Sequence, residues 1–81
     1  MNGVTKFLGF SSDYCTSCPP VKDFLNQKGM QGEWLDATVE EDKAVEHSVM
    51  TLPTVIFYDS MGVEVARANN LGEVRMILTG D

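Results

Sequence analysis

Residues 13–20 read Asp-Tyr-Cys-Thr-Ser-Cys-Pro-Pro (DYCTSCPP), and both cysteines of the 81-residue chain, Cys15 and Cys18, lie inside this stretch. Beyond it, Val21, Phe24, Leu25 and Lys28 fall at i, i+3, i+4 and i+7, the spacing of one helix face, and Gly29 offers a stop. Before it, Val4 to Phe10 (VTKFLGF) is β-branched and aromatic with apolar residues at both parities, which suits a central strand covered on both faces. The cysteines therefore sit between a buried strand and a helix over about Pro19 to Lys28.

That position has a chemical consequence. Free backbone N–H groups and the positive end of the helix dipole favour a thiolate over a thiol. Thiol pKa values fall from about 8.5 to roughly 3.5–7.5 in such settings, so Cys15 is the expected nucleophile and Cys18 the group placed to resolve a mixed disulfide. The prolines refine the helix start. A helix beginning at Cys15 would need the amides of Pro19 and Pro20, which do not exist. A start near Ser17 or Cys18 places Pro19 at the first helical position and Pro20 in the first turn. Thr16 and Ser17 then form a tight turn whose amides point at the Cys15 sulfur.

The rest of the chain supplies an alternating pattern. Glu33 to Ala37 (EWLDA) reads as a second strand. Thr38 and Glu41 make a T-x-x-E capping box, with Glu40, Glu41 and Asp42 suited to the positive end of a second helix. That helix is expected to run to about Ser48 and to bury at most Ala44, Val45 and Val49. Thr54 to Asp59 and Val63 to Ala68 are β-rich runs around Asp59-Ser60-Met61-Gly62, a hairpin turn ending in glycine. Asn70 and Glu73 cap a third helix, whose Val74, Ile77 and Leu78 repeat at helical spacing. The order β-α-β-α-β-β-α implies one α/β domain over residues 1–81, a four-stranded mixed sheet with three helices on its faces.

Composition excludes several classes of function. A net charge of −6 with six Lys plus Arg leaves no basic stripe, so nucleic acid is not an expected partner. No apolar run approaches the roughly 20 residues of a membrane span. The N-terminus lacks a basic-then-apolar signal pattern, so the expected location is the cytoplasm. Two cysteines are too few for a disulfide-stapled secreted scaffold.

The DYCTSC segment between strand and helix, the Thr51-Leu52-Pro53-Thr54 (TLPT) start of a strand, and the VIFYDSMGVEVA hairpin together resemble the thioredoxin superfamily across essentially the whole chain. The size and the GEWLDATVEED segment resemble glutaredoxins and the small glutaredoxin-like electron donors of ribonucleotide reductase. The hairpin resembles thioredoxin instead. The extra N-terminal strand and helix of full-length thioredoxins are missing, which points to a minimal, phage-encoded version.

The resemblance implies a thioredoxin-like βαβαββα fold and a dithiol-disulfide oxidoreductase acting on protein disulfides. It casts Cys15 as attacking thiolate, Cys18 as resolving thiol, Pro53 as a cis-proline facing them, and Leu52 as the residue whose backbone pairs with the client's extended chain. Tyr14, where thioredoxins usually carry tryptophan, would wall the site with Thr16 and Ser17. Ribonucleotide reductase is a plausible client, and a thioredoxin-reductase-type flavoenzyme or glutathione the electron donor. A monomer without cofactor or metal is expected.

Two positions depart from the family pattern. Thioredoxins carry a buried acid six residues before the first cysteine, where this chain has Gly9; proton acceptance from Cys18 would then pass to Asp36 or water. Glutaredoxins grip glutathione with a glycine pair followed by acids, where this chain reads Ala68-Asn69-Asn70-Leu71-Gly72.

Competing readings are a glutathione-dependent glutaredoxin and a non-catalytic, redox-regulated or zinc-binding module. Zinc wants four ligands, and the chain offers two cysteines and His47, which is read as a solvent-exposed residue of the second helix. Lys22, one helical turn beyond Cys18, is read as solvated or as a modest aid to the thiolate. Trp34 is read as a partly buried strand residue.

Overall fold

The computed structural model describes residues 3–80. Seven elements follow in the expected order: β1 (Lys6–Ser11), α1 (Cys18–Gln27), β2 (Gln31–Asp36), α2 (Glu41–Glu46), β3 (Thr54–Tyr58), β4 (Glu64–Ala68) and α3 (Leu71–Thr79). The strands form one sheet in the order β2-β1-β3-β4. β1 pairs in parallel with β2, across the α1 crossover, and antiparallel with β3, while β3 and β4 form an antiparallel hairpin. The two-sided apolar pattern of β1 is thus explained by its central place.

Two clusters bury the two faces. Phe7, Val55 and Phe57 of the sheet pack with Val21 and Leu25 of α1 and with Val74 and Leu78 of α3. On the opposite face Phe10 and Ile56 pack with Ala44 of α2. Residues alternate between these faces along β1 and β3, as a pleated strand requires.

Local chemistry sets the element ends. α1 closes through paired bonds, Met30 N–H to Leu25 O at 3.2 Å and Gly29 N–H to Asn26 O at 3.1 Å, the Schellman arrangement. In the hairpin, the Asp59 carboxylate accepts from the N–H groups of Met61 (2.8 Å) and Val63 (3.0 Å). Gly62 sits at φ 80°, backbone that a side chain would strain. At α3 the expected cap forms: Asn70 Oδ1 accepts the Glu73 N–H at 2.8 Å. The Glu73 carboxylate reaches back to the Asn69 N–H at 2.7 Å.

α2 departs from expectation. Its cap position is Glu40, with no side-chain cap bond, because Thr38 is occupied elsewhere. The Asp36 carboxylate accepts from both the Thr38 N–H (2.8 Å) and the Thr38 hydroxyl (2.6 Å), so the predicted T-x-x-E box gives way to an aspartate-centred turn. The helix ends at Glu46 rather than Ser48. Val45 is 79% exposed, so Ala44 and half-buried Val49 supply this side's apolar contacts.

Candidate active site

β1 delivers the chain to the site and the loop after it folds back at once. The Ser12 carbonyl accepts the Cys15 N–H at 3.2 Å, and the Ser12 hydroxyl accepts the Tyr14 N–H at 3.3 Å. A second turn follows, from the Cys18 N–H to the Cys15 carbonyl at 3.4 Å. α1 then begins at Cys18, with Ser17 at the cap position and making no side-chain cap bond. Pro19 and Pro20 fall in the first turn, one position later than predicted, where missing amides cost no helical bond.

Cys15 and Cys18 are joined in a disulfide, their Cα atoms 5.5 Å apart, an ordinary span for the bond. Their surroundings differ. Cys18 is 1% exposed, whereas Cys15 is half-exposed and opens on a groove of about 440 Å³. Tyr14, Thr16 and Ser17 line the near side of that groove, and Met50, Thr51 and Leu52 the far side. Tyr14 (88% exposed) and Met50 (89% exposed) stand up as apolar flanks. Pro53, fully buried behind Leu52, is joined to it by a cis peptide bond.

The structure thus brings the sequence-predicted residues to one place. A cavity of similar size, about 450 Å³, lies at the other end of β1 between Lys6, Leu8, Glu33 and Tyr58. Its lining includes no cysteine.

One reading needs correction, and two gain detail. His47 is half-buried rather than solvent-exposed. Its Nδ1 bonds the Lys43 carbonyl at 2.8 Å, and its ring lies 5.6 Å from that of Phe10, so it serves packing at the end of α2. Lys22 is exposed, and its Nζ sits over the Trp34 ring, 5.3 Å from the centroid. Asp36 is engaged by Thr38, whose hydroxyl and amide hold its carboxyl below the ordinary range.

Trp34 also accounts for Gly9. The two residues are register partners across β1 and β2, and the indole lies flat on the glycine: a Cβ there would come within 2.5–2.7 Å of the ring atoms Cε3, Cζ3 and Cδ2. Trp34 in turn meets Phe7 edge-on, 5.7 Å between centroids. Among the described residues the buried polar side chains are Ser11 and Thr54, and no carboxylate is buried. The space beside Gly9 is closed by an aromatic ring.

No protein-family model matches the chain. The SPbeta prophage-derived thioredoxin-like protein YosR of Bacillus subtilis (strain 168) is 35% identical over 54 residues, spanning 67% of this chain and 68% of that protein. The chain belongs to the thioredoxin-like proteins. This thioredoxin-like protein shares its fold with the thioredoxin NaTrxh of Nicotiana alata (TM-score 0.77, 18% identity, 94% of this chain and 70% of that one). It also superposes on the reduced Schistosoma mansoni thioredoxin pre-protein (TM-score 0.76, 15% identity, 91% and 75% covered). Thioredoxin 1 of Thermosipho africanus is a further neighbour (TM-score 0.71, 22% identity, 90% and 85% covered). With its paired cysteines at the start of α1, the thioredoxin-like protein is a thiol-disulfide oxidoreductase. Among the described residues, no helix is long and apolar enough to cross a membrane.

Sequence reasoning missed two features here. Trp34 was assigned to a strand without its partner, although a glycine and an aromatic on neighbouring strands are the usual signal of such a stack. Asn69, read only as a departure from the glutathione motif, bonds to the Thr51–Thr54 loop. No local pattern announces that contact.

Proposed function

We propose that this thioredoxin-like protein is a dithiol reductant of protein disulfides. The observation that carries the reading is the unequal placement of the pair: Cys15 opens on a groove walled by Leu52, while Cys18 lies buried behind it. The Cys15 thiolate attacks one sulfur of the client disulfide, forming a mixed disulfide and releasing the first client thiolate. Cys18 then loses its proton and attacks the Cys15 sulfur, releasing the second client thiolate. The client gains two electrons, and the Cys15–Cys18 disulfide awaits an external reductant. Leu52 offers its backbone to the client's extended chain, and Tyr14, Thr16 and Ser17 complete the contact surface. Ribonucleotide reductase is the client that the likeness to small electron donors favours, and the cytoplasm is the compartment in which a reductant would keep the pair as thiols.

The electron donor is a thioredoxin-reductase-type flavoenzyme in preference to glutathione. A glutathione site needs an acid free to meet the tripeptide's amine. In this region Asn70 is occupied as the α3 cap and Glu73 by the Asn69 amide. The dithiol protein is therefore expected to accept electrons from such a flavoenzyme at least about tenfold faster than from glutathione, and Cys18→Ser to be poor at deglutathionylation. Stopped-flow rates with each donor check this. Efficient deglutathionylation by Cys18→Ser would move the protein to the glutaredoxin reading.

A further inference from the structure

The far wall of the groove is held from behind by one side chain. Asn69 stands in the short turn between β4 and α3, and its amide nitrogen donates to the Thr51 hydroxyl at 3.2 Å and to the Thr54 hydroxyl at 3.0 Å. Thr54, 1% exposed, passes its own hydroxyl proton to the Thr51 carbonyl at 2.6 Å. These three bonds join the residues on either side of Leu52-Pro53, so the segment facing Cys15 is gripped at both ends. The grip is anchored in turn, since the Asn69 N–H is bound by Glu73, whose own N–H is capped by Asn70. A continuous line of hydrogen bonds thus runs from the first turn of α3 to the groove.

We propose that Asn69 is a positioning residue for client binding, fixing the Thr51–Pro53 segment at the distance from Cys15 that an extended polypeptide needs. This rests on the reading of the protein as a reductant of protein disulfides. Asn69 lines no part of the groove, so its effect passes through Thr51 and Thr54. A loop that must be ordered at each encounter raises KM for clients that pair with its backbone. A small disulfide that meets only the Cys15 sulfur is indifferent to it.

The test compares wild type, Asn69→Ala, Thr51→Val and the double variant on two substrates, insulin and a small aromatic disulfide. Asn69→Ala is expected to raise KM for insulin about tenfold with kcat held within about twofold, and to leave the small disulfide and the alkylation rate of Cys15 within about twofold of wild type. The double variant should be no worse than Asn69→Ala, because both substitutions cut the same line. An unchanged KM for insulin would overturn the proposal, as would an equal loss on both substrates. If Asn69→Ala does not fold, Thr54→Val, buried and off the groove, decides alone: an insulin KM raised about threefold or more with the small disulfide unchanged supports the grip, and an unchanged insulin KM overturns it. Wild type that reduces the small disulfide but not insulin would remove the parent reading, and this inference with it.

Discussion

Cys15→Ser is expected to reduce turnover of a protein disulfide to the uncatalysed level, whereas Cys18→Ser retains attack and stops at a mixed disulfide. The two variants differ in kind because the two sulfurs differ in access. Cys15 faces the groove and Cys18 is 1% exposed, so a client can reach only the first. The turn that carries the Cys18 N–H to the Cys15 carbonyl keeps the pair within bonding range, and the start of α1 favours the thiolate. In the reduced protein at neutral pH, iodoacetamide should label Cys15 at least about tenfold faster than Cys18. Mass spectrometry of Cys18→Ser incubated with an oxidised client should find the Cys15 adduct. Faster labelling of Cys18 would reverse the assignment of roles.

The second large effect concerns Gly9. Gly9→Asp, which restores the acid that thioredoxins carry at this place, is expected to destabilise the fold by about 3 kcal/mol or more. Overpacking against a ring costs about 1–3 kcal/mol, and a carboxyl with no partner in a buried place adds to it. Against a total stability of about 4–12 kcal/mol for a chain of this length, that is a substantial part of the margin. Trp34→Ala alone should cost about 3 kcal/mol through lost packing. The double variant should lose less than the sum, because removing the indole opens the space that the aspartate needs. Urea unfolding midpoints measure all three. A Gly9→Asp protein as stable as wild type would mean that the ring does not close this place.

Much of this is legible in the sequence. The element order followed from the spacing of apolar residues and from turn residues whose local chemistry is strong, such as Asp59 and Gly62 in the hairpin and Asn70 at α3. The cysteine pair, its helix and the Thr51-Leu52-Pro53-Thr54 segment were placed together through the family resemblance, and the groove confirms that neighbourhood. What escaped were contests and long-range contacts. The Thr38 N–H, which the box would give to Glu41, goes with the hydroxyl proton to Asp36, two residues earlier, and the helix is entered at Glu40 instead. His47 was assigned to solvent because its partner Phe10 lies far off in sequence. Trp34 and Gly9 meet only once the parallel register of β1 and β2 is set, and Asn69 reaches back across 18 residues to Thr51. Periodicity reads which face a residue takes, but not which side chain waits there.

The central claim is that the buried and exposed cysteines form a working dithiol reductant of protein disulfides. Its most direct test is the rate at which catalytic amounts of the wild-type protein accelerate insulin reduction by dithiothreitol, followed by precipitation of the B chain. The account predicts a rate proportional to protein concentration and abolished by Cys15→Ser. A folded protein whose Cys15–Cys18 pair cycles with dithiothreitol, yet which gives no acceleration over dithiothreitol alone, would contradict it.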